Sequence, residues 1–209
     1  MLIIGLNGSP NPDGNTAYLL EKSLEAAEES GAQIETLFLH DIVGKEEMPF
    51  CVACESPCNG ACYEGTELEK IYDKVGSADG LLVATPVYFG TISGQLKTFW
   101  DKTRRLRRDK KLYNVVGGAI SVGAARFGGQ ETTVKDIHSM MLVQGMIVVG
   151  DCYDEKAPGH HGVSAQQPSR DDEYALKRAY VLGKRVAQMC QATAHIRKVE
   201  GYPHRQSVF

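Results

Sequence analysis

MLIIGLNGSPNPDGNTAYLLEKSLEAAEES, residues 1–30, joins a short apolar run to an amphipathic stretch through a turn rich in Gly, Asn, Ser and Pro. The apolar run at residues 1–7 is typical of a buried parallel strand. Residues 15–29 then place apolar side chains at helical spacing, at Ala17, Leu20, Leu24 and Ala27. A strand that passes through a tight turn into a helix is the opening unit of an α/β fold.

The same alternation of strand and helix continues along the chain. Further strands are predicted at residues 33–39, 80–85, 115–122 and 145–150, and further helices at residues 68–75, 94–107, 130–143 and 175–189. Five strands that alternate with helices predict a parallel sheet covered on both faces. We expect one three-layer domain over residues 1–196, followed by a C-terminal tail at residues 197–209.

Composition narrows the function. The chain has 209 residues and a formal charge of -3, which argues against nucleic acid as a partner, because domains that bind it are usually basic. Its apolar runs are shorter than the roughly 20 residues of a membrane span, so no membrane association is expected. The first residues do not resemble a secretory signal, so we expect a cytoplasmic protein with reduced thiols.

Ligands of an open parallel sheet bind beyond the carboxyl ends of the strands. The first loop at this edge is GSPNPDGNT, residues 8–16, which contains no Lys or Arg. A phosphate there would be held by hydroxyl groups and by the amides of a helix N-terminus. The P-loop and the GxGxxG fingerprint are both absent. The alternative is an ordinary turn in which Asn15 caps the helix.

Two more loops follow the third and fourth predicted strands. The second loop begins the stretch TPVYFGTISGQLKTFWDKT, residues 85–103. It presents Tyr88 and Phe89, and a helix opens after it near Ser93. These aromatics suit a planar ring ligand, or alternatively core or interface packing. The third loop, SVGAARFGGQETT at residues 121–133, offers glycines for close backbone approach and Arg126 for an anionic group, unless it is a glycine-rich turn with a solvated Arg.

The three loops, in this order, resemble those of the flavodoxin-like NAD(P)H-dependent FMN reductases over residues 1–150. The resemblance implies a flavodoxin-like sandwich with a five-stranded parallel sheet of order 2-1-3-4-5. It also implies an oxidoreductase in which FMN takes electrons from NAD(P)H, so that no side chain need act as an acid or base. In this family the phosphate would be held by Ser9, Asn11, Gly14, Asn15 and Thr16. The flavin ring would be lined by Pro86, Val87, Tyr88, Phe89, Gly90 and Thr91, with Ser121, Gly123 and Arg126 beside it.

Four of the six cysteines form the motif C-x2-C-x3-C-x3-C, at Cys51, Cys54, Cys58 and Cys62. They lie in residues 40–64, the cysteine loop, which has no clean periodicity and follows the second predicted strand. We therefore expect them on the flavin's side of the sheet. Four thiolates can hold a cubane cluster or a zinc ion, or can remain unligated. Cys152 and Cys190 are isolated and are interpreted as small buried residues.

The cysteine loop resembles that of the iron-sulfur flavoproteins, a branch of the same family, although its spacing departs from the tighter C-x2-C-x2-C beginning of that branch. The resemblance implies a [4Fe-4S] cluster that exchanges electrons with FMN. It also implies a homodimer or homotetramer, with a small molecule or a redox protein as acceptor. Two alternatives are a non-enzymatic electron carrier and a flavin-binding protein with a structural zinc loop.

One basic stretch remains, KTRRLRRDKK at residues 102–111. It is interpreted as a solvated helix end whose cations complement the helix dipole. The alternatives are recognition of the extra phosphate of NADPH and docking of an acidic redox partner.

Overall fold

Parallel strands form the centre of the molecule. The structure is a computed structural model, and it describes residues 1–153 and 158–197. The strands are β1 Leu2–Asn7, β2 Gln33–Phe38, β3 Gly80–Pro86, β4 Val116–Gly123, β5 Ile147–Val148 and β6 Val163–Gln166. Their order is β2-β1-β3-β4-β5, and β6 also pairs with β4. The predicted α/β class and strand order are confirmed.

Helices cover both faces of this sheet. They are α1 Asn15–Glu29, α2 Leu39–Val43, α3 Glu67–Ser77, α4 Gly94–Asp101, α5 Arg104–Arg108, α6 Gln130–Val143, α7 Glu173–Ala192 and α8 Ala194–Arg197. Neighbouring residues of β1 point to opposite faces: Ile3 packs in the core beneath α1 and α7, and Ile4 packs in the core beneath α3, α4 and α6. The three layers follow directly from this alternation.

The fifth strand is shorter than residues 145–150, as the sequence predicted it. Only Ile147–Val148 forms β5, because Gly145 adopts a left-handed conformation at the end of α6 with φ +77. The chain then leaves the sheet and returns as β6, which pairs with the carboxyl half of β4. Because β3 pairs along the opposite side of β4 over residues 116–122, β5 and β6 occupy the same side of β4.

One helix prediction and one loop prediction also differ from the structure. The helix predicted at residues 94–107 is broken into α4 and α5, because Thr103 turns back and its amide and hydroxyl both donate to the carbonyl oxygen of Trp100. The cysteine loop, predicted to be irregular, begins within the short helix α2.

The predicted tail lies outside the described residues except for Arg197. Among the described helices, none has the length and apolarity needed to cross a membrane.

Candidate active site

The first loop follows β1, and side chains at its start accept hydrogen bonds from its own backbone amides. The side-chain oxygen of Asn7 accepts the amide of Ser9 at 2.9 Å, and the Ser9 hydroxyl accepts the amide of Asn11 at 3.1 Å. The side-chain oxygen of Asn11 accepts the amide of Asp13, also at 3.1 Å. Three successive side chains therefore satisfy the turn internally, and α1 begins directly after it.

The first turn of α1 is left open at its N-terminus. Its N-cap residue is Gly14, and no side chain caps the helix. The alternative in which Asn15 caps the helix is therefore wrong. Instead the Asn15 side-chain oxygen accepts the amide of Ser169 at 2.8 Å, and the Ser169 hydroxyl donates to the Asn15 carbonyl oxygen at 2.9 Å. The free amides of α1 and the positive end of its dipole form a favourable environment for an anion.

A buried amide at the end of β1 adds a donor to this place. Asn7 is fully buried, and its Nδ2 has no hydrogen-bond partner among the described residues. A buried N–H donor without a partner is costly, so an acceptor is expected beside it. The open helix end and this unsatisfied donor both fit a phosphate group. Sequence reasoning missed Asn7, because nothing local distinguishes it from the rest of the turn.

A cation also reaches the first loop from a distant part of the chain. The guanidinium of Arg170 lies 4.0 Å from the ring centroid of Tyr18 in α1. Arg170 directly follows Ser169, and the amide of Ser169 is hydrogen-bonded to Asn15. The first loop itself has no Lys or Arg, and Arg170 lines a cavity together with Pro12 and Asp13 of that loop. The sequence carries no signal of this pairing.

The second loop is a tight turn that holds an aromatic side chain out to solvent. Tyr88 and Thr91 exchange two backbone hydrogen bonds of 3.0 and 3.2 Å. Between them Phe89 and Gly90 both have positive φ angles, +51 and +80, the pattern of a type I′ turn. The Phe89 side chain is fully exposed, and no atom lies within 4 Å of the position of a Cβ on Gly90. A planar ligand has open space against this backbone.

The three loops are joined to one another. The Ser93 hydroxyl donates to the carbonyl oxygen of Gly8 at 2.6 Å, which links the second loop to the first. The Thr132 hydroxyl donates to the carbonyl oxygen of Gly90 at 3.1 Å, which links the third loop to the second. A Cβ on Gly129 would lie 2.9 Å from the Cα of Gly90. The structure thus brings the first and second sets of predicted site residues to one edge of the sheet.

Gln130 holds the third loop in shape. Its side chain donates to the carbonyl oxygen of Ala125 at 2.6 Å and accepts the amide of Gly128 at 2.8 Å. Ser121 is buried, and its hydroxyl donates to the Gln130 carbonyl oxygen at 2.8 Å. The side chain of Gln130 also occupies the space where a Cβ on Gly123 would lie. Ser121 and Gly123 therefore shape the loop from beneath.

Arg126 lies at the exposed tip of the third loop. Its guanidinium is 5.4 Å from the ring centroid of Phe127, which is also exposed. Both residues line a cavity of about 570 Å³ that extends from the third loop toward Ser164 and Tyr174. The structure thus places Arg126 on the outer side of the loop, apart from the buried Ser121.

The four loop cysteines line one small cavity of about 40 Å³, together with Lys102 and Arg104. All four are free thiols. Desolvation is the main cause that raises the pKa of the Cys62 thiol; the other three thiols add to the rise, and Lys102 opposes it. Within residues 1–153 and 158–197, no three His, Cys, Asp or Glu side chains are gathered around one point as a single metal ion requires. The donor chemistry, four thiols on one cavity wall, fits a thiolate-ligated centre.

Cations surround the cysteine loop. Lys102 is buried and pairs with Glu46 at 3.2 Å. Arg105 pairs with Glu69 at 2.8 Å, and Arg108 donates to the carbonyl oxygen of Cys58 at 2.6 Å. The interpretation of residues 102–111 as a solvated helix end is therefore wrong for Lys102 and incomplete for the two arginines.

The cysteine cavity and the second loop lie at opposite ends of α4. The second loop ends at Ser93, which caps the start of this helix, while Lys102 at the other end lines the cavity. Eight residues of helix span about 12 Å. The cysteine loop does leave the sheet at the expected edge, after β2, and its cavity lies at the end of α4 that is opposite to the second loop.

Known proteins resemble this chain in sequence. The family model of NADPH-dependent FMN reductase matches residues 1–154. An iron-sulfur flavoprotein of Methanocaldococcus jannaschii is 41% identical over 90% of this chain and 97% of its own length. An iron-sulfur flavoprotein of Methanosarcina thermophila is 35% identical over 91% and 96% of the two chains.

The fold also matches solved structures. A WrbA-like flavodoxin from Agrobacterium tumefaciens superposes with a TM-score of 0.64, at 20% identity over 91% of this chain and 97% of its own. At that identity the likeness shows the fold alone. The family match and the two sequence relatives carry the assignment. The chain therefore belongs to the NADPH-dependent FMN reductase family, in its iron-sulfur flavoprotein branch, and is an NAD(P)H-dependent oxidoreductase that uses FMN.

Proposed function

We propose that this protein binds FMN across its three loops, accepts electrons from NAD(P)H, and passes them through a [4Fe-4S] cluster on the cysteine loop to a small molecule or a redox protein. The convergence of the three hydrogen-bonded loops at one sheet edge carries this proposal. The domain that does this work is residues 1–196, with residues 197–209 as a tail.

The first loop would hold the FMN phosphate. Ser9, Asn11 and Thr16 would bind it with their polar groups, and Asn15 with a backbone amide that α1 leaves uncapped. Gly14, whose own amide donates to the carbonyl oxygen of Asn11 at 3.3 Å, would hold the turn that leads into this helix. The Asn7 side-chain amide would meet its missing acceptor there. Because the turn fixes these donors before the ligand binds, little conformational freedom is lost on binding.

The second and third loops would hold the flavin ring. The backbone of Pro86, Val87, Gly90 and Thr91 would lie against the ring edge, and the side chains of Tyr88 and Phe89 would cover it. Ser121 and Gly123 would support the third loop, and Arg126 would lie at its outer side. FMN held there would supply hydride acceptance from NAD(P)H and release of electrons singly or in pairs. These residues would orient the ring and exclude water, and they would transfer no protons themselves.

The cysteine loop would hold the cluster through Cys51, Cys54, Cys58 and Cys62, which share one cavity. A [4Fe-4S] cluster carries one electron at a time. The cysteine cavity and the second loop lie at opposite ends of α4. An assembly of several subunits would therefore offer the cluster the FMN of a neighbouring subunit for electron exchange. The exposed Phe89 and Phe127 beside the ring site favour such an assembly, a homodimer or homotetramer.

Chemical analysis of protein purified without oxygen tests the proposal. We expect stoichiometric FMN, iron and acid-labile sulfide, and oxidation of NADPH. The Cys58→Ser variant should lose most of its iron and sulfide and keep FMN, while Cys152→Ser, outside the motif, should keep all three. A colourless protein that cannot be reconstituted with FMN would overturn the proposal.

Two other outcomes would replace parts of it. Zinc without iron or sulfide would identify a structural metal loop. Stable FMN with negligible NADPH oxidation would identify a non-enzymatic electron carrier, and the redox protein would then be its donor.

A further inference from the structure

Lys102 is a buried cation that lines the same cavity as the four cysteines. Its side chain is 2% exposed, and it lines the cavity that Cys51, Cys54, Cys58 and Cys62 share. Lysine is almost never fully buried unless it is paired. The partner of such a charge therefore needs to be identified.

One carboxylate lies close to it. Glu46 approaches the Lys102 ammonium at 3.2 Å, which is longer than the 2.7–2.9 Å typical of charge-assisted hydrogen bonds. Burying two ions costs several kcal/mol each, and only excellent geometry repays that cost. Because Glu46 is 14% exposed and Lys102 only 2%, the lysine is the more buried ion of the pair, and its charge also acts on Cys62, where desolvation raises the thiol pKa and the Lys102 charge lowers it.

Other charges near the cavity do not neutralise Lys102. Arg104 is a second cation on the cavity wall, and Glu55 lies on the wall but is exposed. Arg105 and Arg108 have carboxylate partners of their own, Glu69 and Asp109. The wall is completed by the apolar side chains of Met48, Phe50 and Val52, which are themselves more than half exposed, so the buried charge at this cavity is that of Lys102.

We propose that Lys102 is the built-in counter-charge of the cysteine-bound cluster and raises its reduction potential. This inference rests on the proposed function. A [4Fe-4S] cluster with four thiolates is anionic in both states and gains one further negative charge when it accepts an electron. A fixed cation beside it stabilises the reduced state more than the oxidised state, and net charge is one of the factors that set the potential of such clusters. The electron comes from bound FMN, and no bond forms or breaks.

Glu46 opposes this effect. Its carboxylate lies 3.2 Å from the Lys102 ammonium and partly offsets that positive charge. Removing the lysine charge and removing the glutamate charge should therefore move the cluster potential in opposite directions. A merely structural role, such as complementing the C-terminal dipole of α4, predicts no such pair of opposite shifts.

The test is a redox titration of the full-length protein purified without oxygen, followed by electron paramagnetic resonance of the reduced cluster. Lys102→Met removes the charge with nearly the same volume, and Lys102→Arg retains the charge. Lys110→Met is the matched control, because Lys110 belongs to the same basic segment but is exposed and does not line the cavity. Glu46→Gln is the second variant, and it keeps the lysine in place. Iron and sulfide are measured in every sample.

We expect a more negative midpoint potential in Lys102→Met, a more positive one in Glu46→Gln, and values near wild type in Lys102→Arg and Lys110→Met. If Lys102→Met does not fold or does not retain iron, the sign of the shift in Glu46→Gln decides. An unchanged or negative shift in Glu46→Gln, or equal shifts in Lys102→Met and Lys110→Met, would overturn the inference while wild type still holds its cluster. Absence of iron and sulfide from wild type would instead overturn the proposed function on which the inference rests.

Discussion

The hydroxyl of Thr16 is buried in the first turn of α1, at the helix end that the first loop leaves uncapped. We expect Thr16→Val to weaken FMN binding roughly ten- to a hundredfold, because a hydrogen bond to a charged group contributes about 1.5–3 kcal/mol. Fluorescence titration of the apoprotein with FMN measures the change. An unaltered affinity would show that Thr16 does not contact the phosphate.

Ser23 is the matched control for Thr16 in the same helix. It is fully buried, and its hydroxyl has no partner among the described residues. We expect Ser23→Ala to bind FMN like wild type and to unfold at an equal or higher free energy, since an unsatisfied buried hydroxyl is unfavourable.

Cys190 is a residue whose chemistry is set by burial. Burial raises the pKa of its thiol to about 12, and its Sγ lies 3.2 Å from the carbonyl oxygen of Asp79. We expect iodoacetamide at pH 8 to leave Cys190 unmodified in native protein and to modify it in denaturant, because the thiolate is the reactive form. Mass spectrometry of the peptide reads this out. Rapid modification in the native state would contradict the burial of this side chain.

The same shift makes a contribution to stability that depends on pH. The unfolded thiol ionises at its ordinary pKa of 9.0, whereas the native thiol stays neutral to about 12. The contribution is therefore complete below pH 9 and is lost as the pH rises from 9 to 12. Chemical unfolding of wild type and Cys190→Ala across this range should converge toward high pH.

At the scale of elements, the contact between the second and third loops depends on a glycine. Gly129 has φ +96, and a Cβ there would lie 2.9 Å from the Cα of Gly90. Gly31 has a similar φ of +87 with no atom near the Cβ position. Both Gly→Ala variants should lose about 1 kcal/mol of unfolding free energy from the left-handed conformation.

Only Gly129→Ala should also disturb the ring site. We expect its FMN affinity to fall at least about tenfold, or about 1.4 kcal/mol, because the second loop must shift. Gly31→Ala should bind FMN normally. Equal FMN affinities in the two variants would show that the contact between the loops does not shape the ring site.

The elements that sequence predicted best are those fixed by local signals. The helical spacing of apolar residues over residues 15–29 predicted α1, which spans Asn15–Glu29 as observed. The fifth strand was overpredicted because apolar residues at 145–150 do not reveal that the chain leaves the sheet and returns as β6. Strand pairing over such a separation is decided by tertiary structure, which a local pattern does not contain.

The candidate site shows the same division. The composition of the first loop predicted its position at the sheet edge, but its partner Ser169 lies 154 residues away from Asn15. Lys102 belongs to a run of cations that resembles a solvated surface, and only the packing of α4 against the cysteine loop reveals that it is buried. Long-range contacts of polar side chains leave no periodic signal in sequence.

At the scale of the whole molecule, one sheet edge gathers the flavin loops and one helix separates them from the cysteines. The two proposed redox groups thus have distinct surroundings: open helix amides and backbone for FMN, and thiols among cations for the cluster. In the proposed function, this separation would let a single domain hold a two-electron group and a one-electron group without shared ligands.

The most direct test of this account is the number of electrons that one chain accepts. An anaerobic titration with dithionite, followed by absorbance, counts them on protein whose FMN content is known. Two electrons to FMN and one to a [4Fe-4S] cluster predict about three per chain. A count of about two, with absorbance changes from the flavin alone, would contradict the account.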